Sequence, residues 1–195
     1  HVDHGSDRDR VRSALKNVYG DLPKGLAGVA LRGQLLAAIA HTYDADMMPF
    51  IYDQVVDAKT NPDVRLIAVQ NYALLANKAD AAKLSQAISD EQPSEAGGYR
   101  EKFEERRPLL DLANECDTSV DCWISKAVSA DGNKARKGAY MLGRYATGNA
   151  KAIEALVGQL GSEDLGVRLS ALMALDQIAV DGSPAAVAKI DELRV

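Results

Sequence analysis

Histidine and large aromatic residues are scarce in this chain of 195 residues. It contains three histidines, one tryptophan and two phenylalanines, and aromatic residues make up only 5% of it. Two of the histidines, His1 and His4, lie at the very start. The paired histidine and carboxylate ligands of a transition-metal site therefore cannot be assembled. We predict no bound metal, and no motif indicates another cofactor.

Positive charge is also in short supply. The chain has 23 Lys and Arg against 28 Asp and Glu, which leaves a net charge of -5. Double-stranded nucleic acid and anionic membranes both favour a basic surface. A membrane-spanning helix needs about 18 or more consecutive apolar residues, and the sequence has no such run. We therefore expect neither a nucleic-acid partner nor a membrane span.

The common catalytic motifs are missing as well. No G-x-S-x-G sequence, P-loop or dinucleotide-binding glycine pattern occurs. We interpret His41 as a residue at a helix end, where its charge would suit the helix dipole. Asp44 and Asp46 lack the further oxygen ligands of a calcium loop, so we interpret them as capping residues. These absences predict a protein that is not an enzyme.

Cysteine occurs only twice, at Cys116 and Cys122. A pair so close in sequence suggests a short disulfide, which would place the protein in the periplasm or outside the cell. The alternative is a reduced pair at a helix junction of a cytoplasmic protein. A zinc site is disfavoured because no second cysteine pair completes the ligand set. Trp123 follows directly, and we expect it to pack in the core.

Alanine and leucine, by contrast, are abundant, and 47% of the residues are hydrophobic. This composition suits closely packed helices. The stretch from Asn61 to Ala76 shows the pattern best: Asn61 can cap a helix, Pro62 fits the first turn, and Asp63 suits the positive helix start. The apolar residues that follow recur every three or four positions, which predicts an amphipathic helix.

The pattern of an apolar residue, an arginine and a small-residue helix face recurs along the chain. It is present at Arg32, Arg65 and Arg168, and the first two are 33 residues apart. A further copy fits if Ala135 takes the arginine position. A weaker copy, near Pro108, has its helical period interrupted by that proline.

Shorter amphipathic segments alternate with these helices. They are ADMMPFIYDQVVD, ADAAKLSQAIS, SVDCWISKAVS, NAKAIEALVGQL and SPAAVAKIDEL. The last two align at a spacing of 34 residues. We expect residues 1–10 to be a disordered start or a tag remnant and residues 11–195 to form one domain, with VRSALKNVYG as an irregular N-terminal cap. The polar loop from Asp90 to Gly98 is either a partner site or a tolerated insertion.

Taken together, the alternation of short and long helices, the Asp-x-Val-Arg start and the Met-Pro-Phe-Ile sequence from Met48 resemble HEAT repeats. The likeness is to the short bacterial, phycobilisome-lyase type of repeat. It implies an all-α, right-handed superhelix of about five helix pairs. Because one such pair cannot bury its apolar face alone, neighbouring pairs must share a continuous core. Small residues such as Ala68, Gly143 and Ala171 would let the helices approach closely.

The resemblance also implies a structural role for the repeated arginines Arg32, Arg65 and Arg168. Each would pair with an acidic group at a turn, for example Arg65 with Asp63 or Asp57, and Arg168 with Asp164. A ladder of guanidinium groups that binds an acidic partner is the alternative.

In HEAT repeats the exposed side of the longer helices lines a concave surface, and the resemblance implies a partner-binding face there. Its residues would be Gln34, His41, Gln70, Lys137, Tyr140, Met173 and Gln177. Their mixed chemistry suits a protein or peptide partner. The sequence thus predicts a non-catalytic protein-binding scaffold. The alternative is a HEAT-like enzyme, such as a DNA glycosylase or a bilin lyase.

Overall fold

A computed structural model describes residues 4–42, 44–90, 99–178 and 188 of the chain. Within these ranges every regular element is helical, which confirms the all-α prediction. The α-helices are α1 (His4–Asp21), α2 (Leu26–Ala40), α3 (Met48–Val56), α4 (Pro62–Leu75), α5 (Lys78–Asp90), α6 (Tyr99–Glu104), α7 (Arg107–Cys116), α8 (Val120–Ala127), α9 (Gly132–Tyr145), α10 (Ala150–Gln159) and α11 (Leu165–Ile178). A short 3-10 helix, Ala45–Met47, precedes α3.

Helix α4 follows the local rules that its sequence predicts. The Asn61 side chain accepts a hydrogen bond from the backbone N–H of Asp63 at 2.9 Å, and Pro62 is in the first turn. Since the first N–H groups of a helix lack partners within it, this cap begins α4 sharply. Ala68 and Tyr72 lie on its buried face. The start of the helix and its apolar face therefore both match the sequence prediction.

The helices contact one another in an alternating order. The shorter helices α3, α8 and α10 each pack on the longer helix that follows, namely α4, α9 and α11. The longer helices also contact their counterparts, α2 with α4 and α9 with α11. The apolar core therefore runs through the longer helices from one pair to the next.

The stretch between α5 and α8 departs from this order. As the position of Pro108 predicts, the chain is interrupted here, and α6 ends at Glu104 before α7 begins at Arg107. Helices α4 and α9 both contact α7, and they also contact each other directly. This direct contact brings the middle of α9 to the C-terminal end of α4.

Small residues permit the closest helix contacts. A β-carbon added at Gly138 would overlap the backbone of Ala127 in α8, and one at Gly143 would lie 3.4 Å from Ala174 Cα in α11. Ala68 and Ala171 are fully buried. The predicted role in close approach is thus confirmed for Gly143, and Ala68 and Ala171 lie in the core as that role requires.

The N-terminal segment differs from expectation. Residues 4–10, which we expect to be disordered, belong to α1. The helix is anchored by Tyr19, which is buried against the edge of the Phe50 ring and donates a hydrogen bond to Gln54 at 2.9 Å. Residues 1–3, residues 91–98 of the polar loop, and the last predicted helix except Ala188 lie outside the described residues.

Candidate functional site

An open cleft of about 800 Å³ lies between α1, the turn before α3 and the C-terminal halves of α9 and α11. Its apolar wall consists of Val11 and Leu15 from α1 together with the buried Met47. Val11 is 56% exposed. The cleft therefore offers apolar surface to a molecule that enters it.

Charged groups form the remaining walls of the cleft, and acidic groups outnumber basic ones. They are Asp7, Asp44, Asp46 and Asp176 on the acidic side, and Arg8 and Arg12 on the basic side. Asp176 is exposed and is followed in α11 by Gln177, which also lines the cleft. The field in the cleft is thus acidic overall and favours positively charged groups.

Arg12 joins α1 to the turn before α3. Its guanidinium donates hydrogen bonds to both carboxylate oxygens of Asp44, at 2.5 and 2.9 Å, and contacts Asp46 at 2.7 Å. A planar guanidinium suits such a two-point contact with a carboxylate. The partners are 32 residues apart in sequence, so this contact holds α1 against the turn before α3.

Asp44 has a second role at the same turn. Its carboxylate accepts a hydrogen bond from the backbone N–H of Asp46 at 3.1 Å, which caps the 3-10 helix as the sequence predicts. Burial by itself would raise the pKa of Asp44, but the hydrogen bonds from Arg12 and from the Asp46 N–H outweigh it. The pKa therefore lies below its ordinary value of 3.8.

A small cavity adjoins the cleft beyond Asp44 and is lined by Tyr140 and Arg144 of α9. The Tyr140 ring is buried and meets the edge of the His41 ring, with the ring centroids 6.3 Å apart. His41 itself lies just beyond the end of α2, and its Nδ1 is 2.6 Å from the Ala37 carbonyl oxygen. This position at a helix end confirms the interpretation of His41 from the sequence.

Lys137 lies in the middle of α9 and is completely buried against the C-terminal end of α4. Its ammonium group donates hydrogen bonds to three backbone carbonyls. The acceptors are Ala73 O at 2.7 Å, Leu74 O at 3.3 Å and Ala76 O at 2.8 Å. The neighbouring Arg144 donates to Leu75 O at 3.2 Å. Since the last carbonyls of a helix have no partner within it and favour positive charge, two cations of α9 complete the end of α4.

The surroundings of Lys137 act on its protonation in opposite directions. The pKa of Lys137 is lowered from 10.5 to about 7, because burial and, to a smaller extent, the positive charge of Arg144 lower it by more than Asp80 raises it. A neutral amine has only two N–H donors, so the three carbonyl acceptors favour the charged form. Lys137 therefore links α9 to α4 through buried hydrogen bonds.

The predicted partner-binding residues are not all on the surface. Gln34, Gln70 and Gln177 are exposed, His41 and Met173 are partly buried, and Lys137 and Tyr140 are buried. The expected exposure of Lys137 and Tyr140 is wrong, because the direct contact between α9 and α4 covers that part of α9. Of the set, Gln177 lines the cleft, and Tyr140 lines the adjoining cavity.

The repeated arginines bind backbone carbonyls. Arg32 donates to Leu22 O at 2.7 Å and Pro23 O at 2.9 Å, and Arg65 donates to Val55 O at 3.0 Å. The acceptors Leu22 and Val55 both precede their arginine by ten residues. Each arginine therefore binds the chain where the preceding helix ends.

Arg168 follows the same principle with a shorter loop. It donates to Ser162 O at 2.6 Å and Glu163 O at 3.0 Å. The carboxylate of Asp164 instead accepts a hydrogen bond from the Gly166 N–H at 2.7 Å at the start of α11. The predicted pairing of Arg168 with Asp164 is wrong, because the guanidinium of Arg168 donates to the backbone carbonyls of Ser162 and Glu163 instead. These contacts are what a structural role requires.

Cys116 and Cys122 lie at the junction of α7 and α8. Their sulfurs are at disulfide distance, with the Cα atoms 5.3 Å apart, as the sequence predicts. Glu115 is close enough to form a three-ligand cluster with them, but a bonded sulfur pair has no thiolate to bind a metal. Trp123 is fully buried beside the junction, which confirms its expected place in the core, and it donates to Asp117 O at 2.8 Å.

No protein-family model matches the chain, and a search of curated proteins finds no match to its sequence. Among the described residues, none of the helices has the length and apolar character needed to cross a membrane.

Sequence reasoning missed most of the cleft. It found Asp44 and Asp46 as capping residues and Gln177 as a surface residue, but it did not bring them together with Arg12 or Asp176. The only usable signal was the excess of charge in HGSDRDRVR, which marks a solvated helix face as readily as one wall of a cleft.

Proposed function

We propose that the chain is a non-catalytic scaffold: a HEAT-like superhelical stack of about five helix pairs that binds a protein or peptide partner in the cleft. The cleft beside α1, α9 and α11 is the observation that carries this proposal. It is open, it combines apolar and charged walls, and it is formed by elements distant in sequence. These are properties of sites that bind extended segments of other proteins.

The stack itself is supported by two kinds of contact. Short and long helices alternate and contact their counterparts in neighbouring pairs. In addition, Arg32 and Arg65 bind carbonyls at the same distance along the chain. Equal contacts at equal spacing are what repeated units produce.

The charge of the cleft favours a partner segment that carries Lys or Arg. Arg12 is already bound to Asp44 and Asp46, whereas Asp7 and Asp176 are exposed at the rim. A basic side chain at the rim would meet these carboxylates, and an apolar side chain would contact Val11. Such rim charges act mainly on the association rate and on specificity.

The experiment selects peptides from a displayed random library on the immobilised full chain and measures their dissociation constants. We expect Val11→Asp to weaken binding at least tenfold, or about 1.4 kcal/mol. Val56→Asp is the matched control, because Val56 is 47% exposed on α3 and does not line the cleft. Equal effects of the two substitutions, or the selection of no binding peptide, would contradict the proposal.

A further inference from the structure

The junction of α7 and α8 brings three candidate metal ligands together. The carboxylate of Glu115 and the sulfurs of Cys116 and Cys122 all lie within 4.8 Å of one another. A tetrahedral Zn²⁺ ion holds sulfur at about 2.3 Å and oxygen at about 2.0 Å, which places its ligand atoms roughly 3.5–3.8 Å apart. The cluster is therefore compact enough to surround such an ion once the two sulfurs are no longer bonded to each other.

The backbone allows the two sulfurs to separate. The Cα atoms of Cys116 and Cys122 are 5.3 Å apart, and Cys122 is only partly buried. Rotation of the Cys122 side chain to another staggered position moves its sulfur away from Cys116 without a shift of either helix. Reduction breaks the S–S bond with two electrons and adds one proton to each sulfur, and Zn²⁺ then displaces both protons. A dithiol reductant supplies the electrons and becomes a disulfide itself.

The two helix ends at the junction suit a metal-bound pair of thiolates. Cys122 lies in the first turn of α8, which Ser119 caps, and the positive start of a helix stabilises a thiolate. Cys116 is the buried last residue of α7, where the negative helix end and the apolar surroundings disfavour a bare thiolate. A bound cation removes that cost, because its positive charge lies against both the thiolate and the helix end.

Lys126 completes the charge balance around the cluster. Two thiolates and one carboxylate bring three negative charges to an ion that carries two positive ones. The Lys126 Nζ atom is 2.7 Å from Glu115 Oε1, so its ammonium group offsets the remaining charge and orients the carboxylate. Contacts of this kind, behind the ligand itself, are typical of metal sites. With three protein ligands, the fourth position is left to water.

We propose that the reduced chain binds one Zn²⁺ ion through Glu115, Cys116 and Cys122. The α7–α8 junction is then closed by a disulfide in an oxidising compartment and by the metal in a reducing one. The sequence prediction of no bound metal considered histidine and cysteine ligands, whereas here a carboxylate supplies the third ligand. None of the three residues lines the cleft, so this site does not depend on the proposed function.

Zn²⁺ titration of the full chain tests the site, after reduction with a phosphine, which brings no competing thiol. We expect one ion per reduced chain, and no binding to the oxidised chain at the same metal concentrations. Co²⁺ in place of Zn²⁺ should give the absorption of thiolate-to-metal charge transfer. Equal binding to the oxidised chain, or a Co²⁺ complex without that absorption, would overturn the proposal.

Two substitutions identify the ligands. Glu115→Gln should weaken Zn²⁺ binding at least tenfold, or about 1.4 kcal/mol. Asp121→Asn is the matched control, because it removes an exposed carboxylate next to Cys122 that lies outside the cluster, and it should change the affinity less than about threefold. Equal losses in these two variants would contradict the proposal, as would binding that survives Cys122→Ser.

Circular dichroism keeps the test decisive if reduction loosens the fold. When the metal-free reduced chain loses helicity, Zn²⁺ should restore it, since an ion that binds the folded chain stabilises that state. Zn²⁺ that binds without restoring helicity would refute the assignment. A reduced chain that stays helical and binds no ion would refute it as well.

Discussion

The buried Lys137 makes the pH dependence of folding a direct test of the α4–α9 junction. Substitution with methionine keeps an unbranched side chain of similar length but removes the charge and the N–H donors. At pH 7 two effects oppose each other: the variant loses the cost of burying the amine, and the three carbonyls lose their donor. The change of stability with pH, rather than stability at one pH, therefore isolates the lysine.

The sign and size follow from the two pKa values. Lys137 has a pKa of about 7 in the folded chain and an ordinary value of 10.5. Between these values the unfolded chain binds more protons, so the free energy of unfolding rises with pH. The stability that Lys137 contributes is complete above 10.5 and declines as pH falls to 7. From pH 7 to about pH 9.5 the rise is about 3 kcal/mol, at roughly 1.4 kcal/mol for each unit.

Urea unfolding at several pH values between 7 and about 9.5 measures this rise, since tyrosines ionise in the unfolded chain only near pH 10. We expect the wild type to gain about 3 kcal/mol more than Lys137→Met over this range. Lys134→Met is the control: Lys134 is exposed in the same helix, so its pH dependence should match the wild type.

Parallel stability curves for the wild type and Lys137→Met would refute the reasoning. They would mean that the three carbonyl hydrogen bonds and the dipole of α4 offset burial completely, so that the folded pKa stays near its ordinary value. The hydrogen bonds from Lys137 to α4 would then form without making the free energy of unfolding depend on pH.

Three further changes test other parts of the structure. Gly138→Ala should lower the free energy of unfolding by about 1–3 kcal/mol, since its β-carbon overlaps the backbone of α8; Gly158→Ala, in a helix with open space around it, should be neutral or stabilising. Arg12→Ala should speed hydrogen exchange throughout α1, whereas Arg10→Ala, at a more exposed ion pair, should not. Thiol labelling should find no free cysteine before reduction and two afterwards, and reduction should cost about 2 kcal/mol because the closed loop is short.

Local features of the fold could be predicted from the sequence because short-range chemistry determines them. The start of α4 needs only Asn61 and Pro62, the break before α7 needs Pro108, and the cysteine pair needs only its short spacing. In each case the interacting groups lie within a few residues of one another.

The environment of a surface position could not be predicted in this way. Gln34 and Lys137 occupy the same position of the repeat, two residues after the arginine position, yet Gln34 is exposed and Lys137 is buried. The difference arises because α4 and α9 touch directly and the end of α4 lies over Lys137. The repeat position of a residue predicts the direction in which its side chain points, but it does not predict which helix packs against that side chain.

The amino-acid sequence by itself determined that the described part of the chain is helical, where a capped helix such as α4 begins and which faces are apolar, because propensity, capping and periodicity act within a few turns. Only the tertiary structure decided which charged groups are buried and which form the cleft. Arg12 meets Asp44 from 32 residues away, and Lys137 meets Ala73 from 64 residues away. Contacts at such separations depend on how whole helices pack, and no local pattern encodes them.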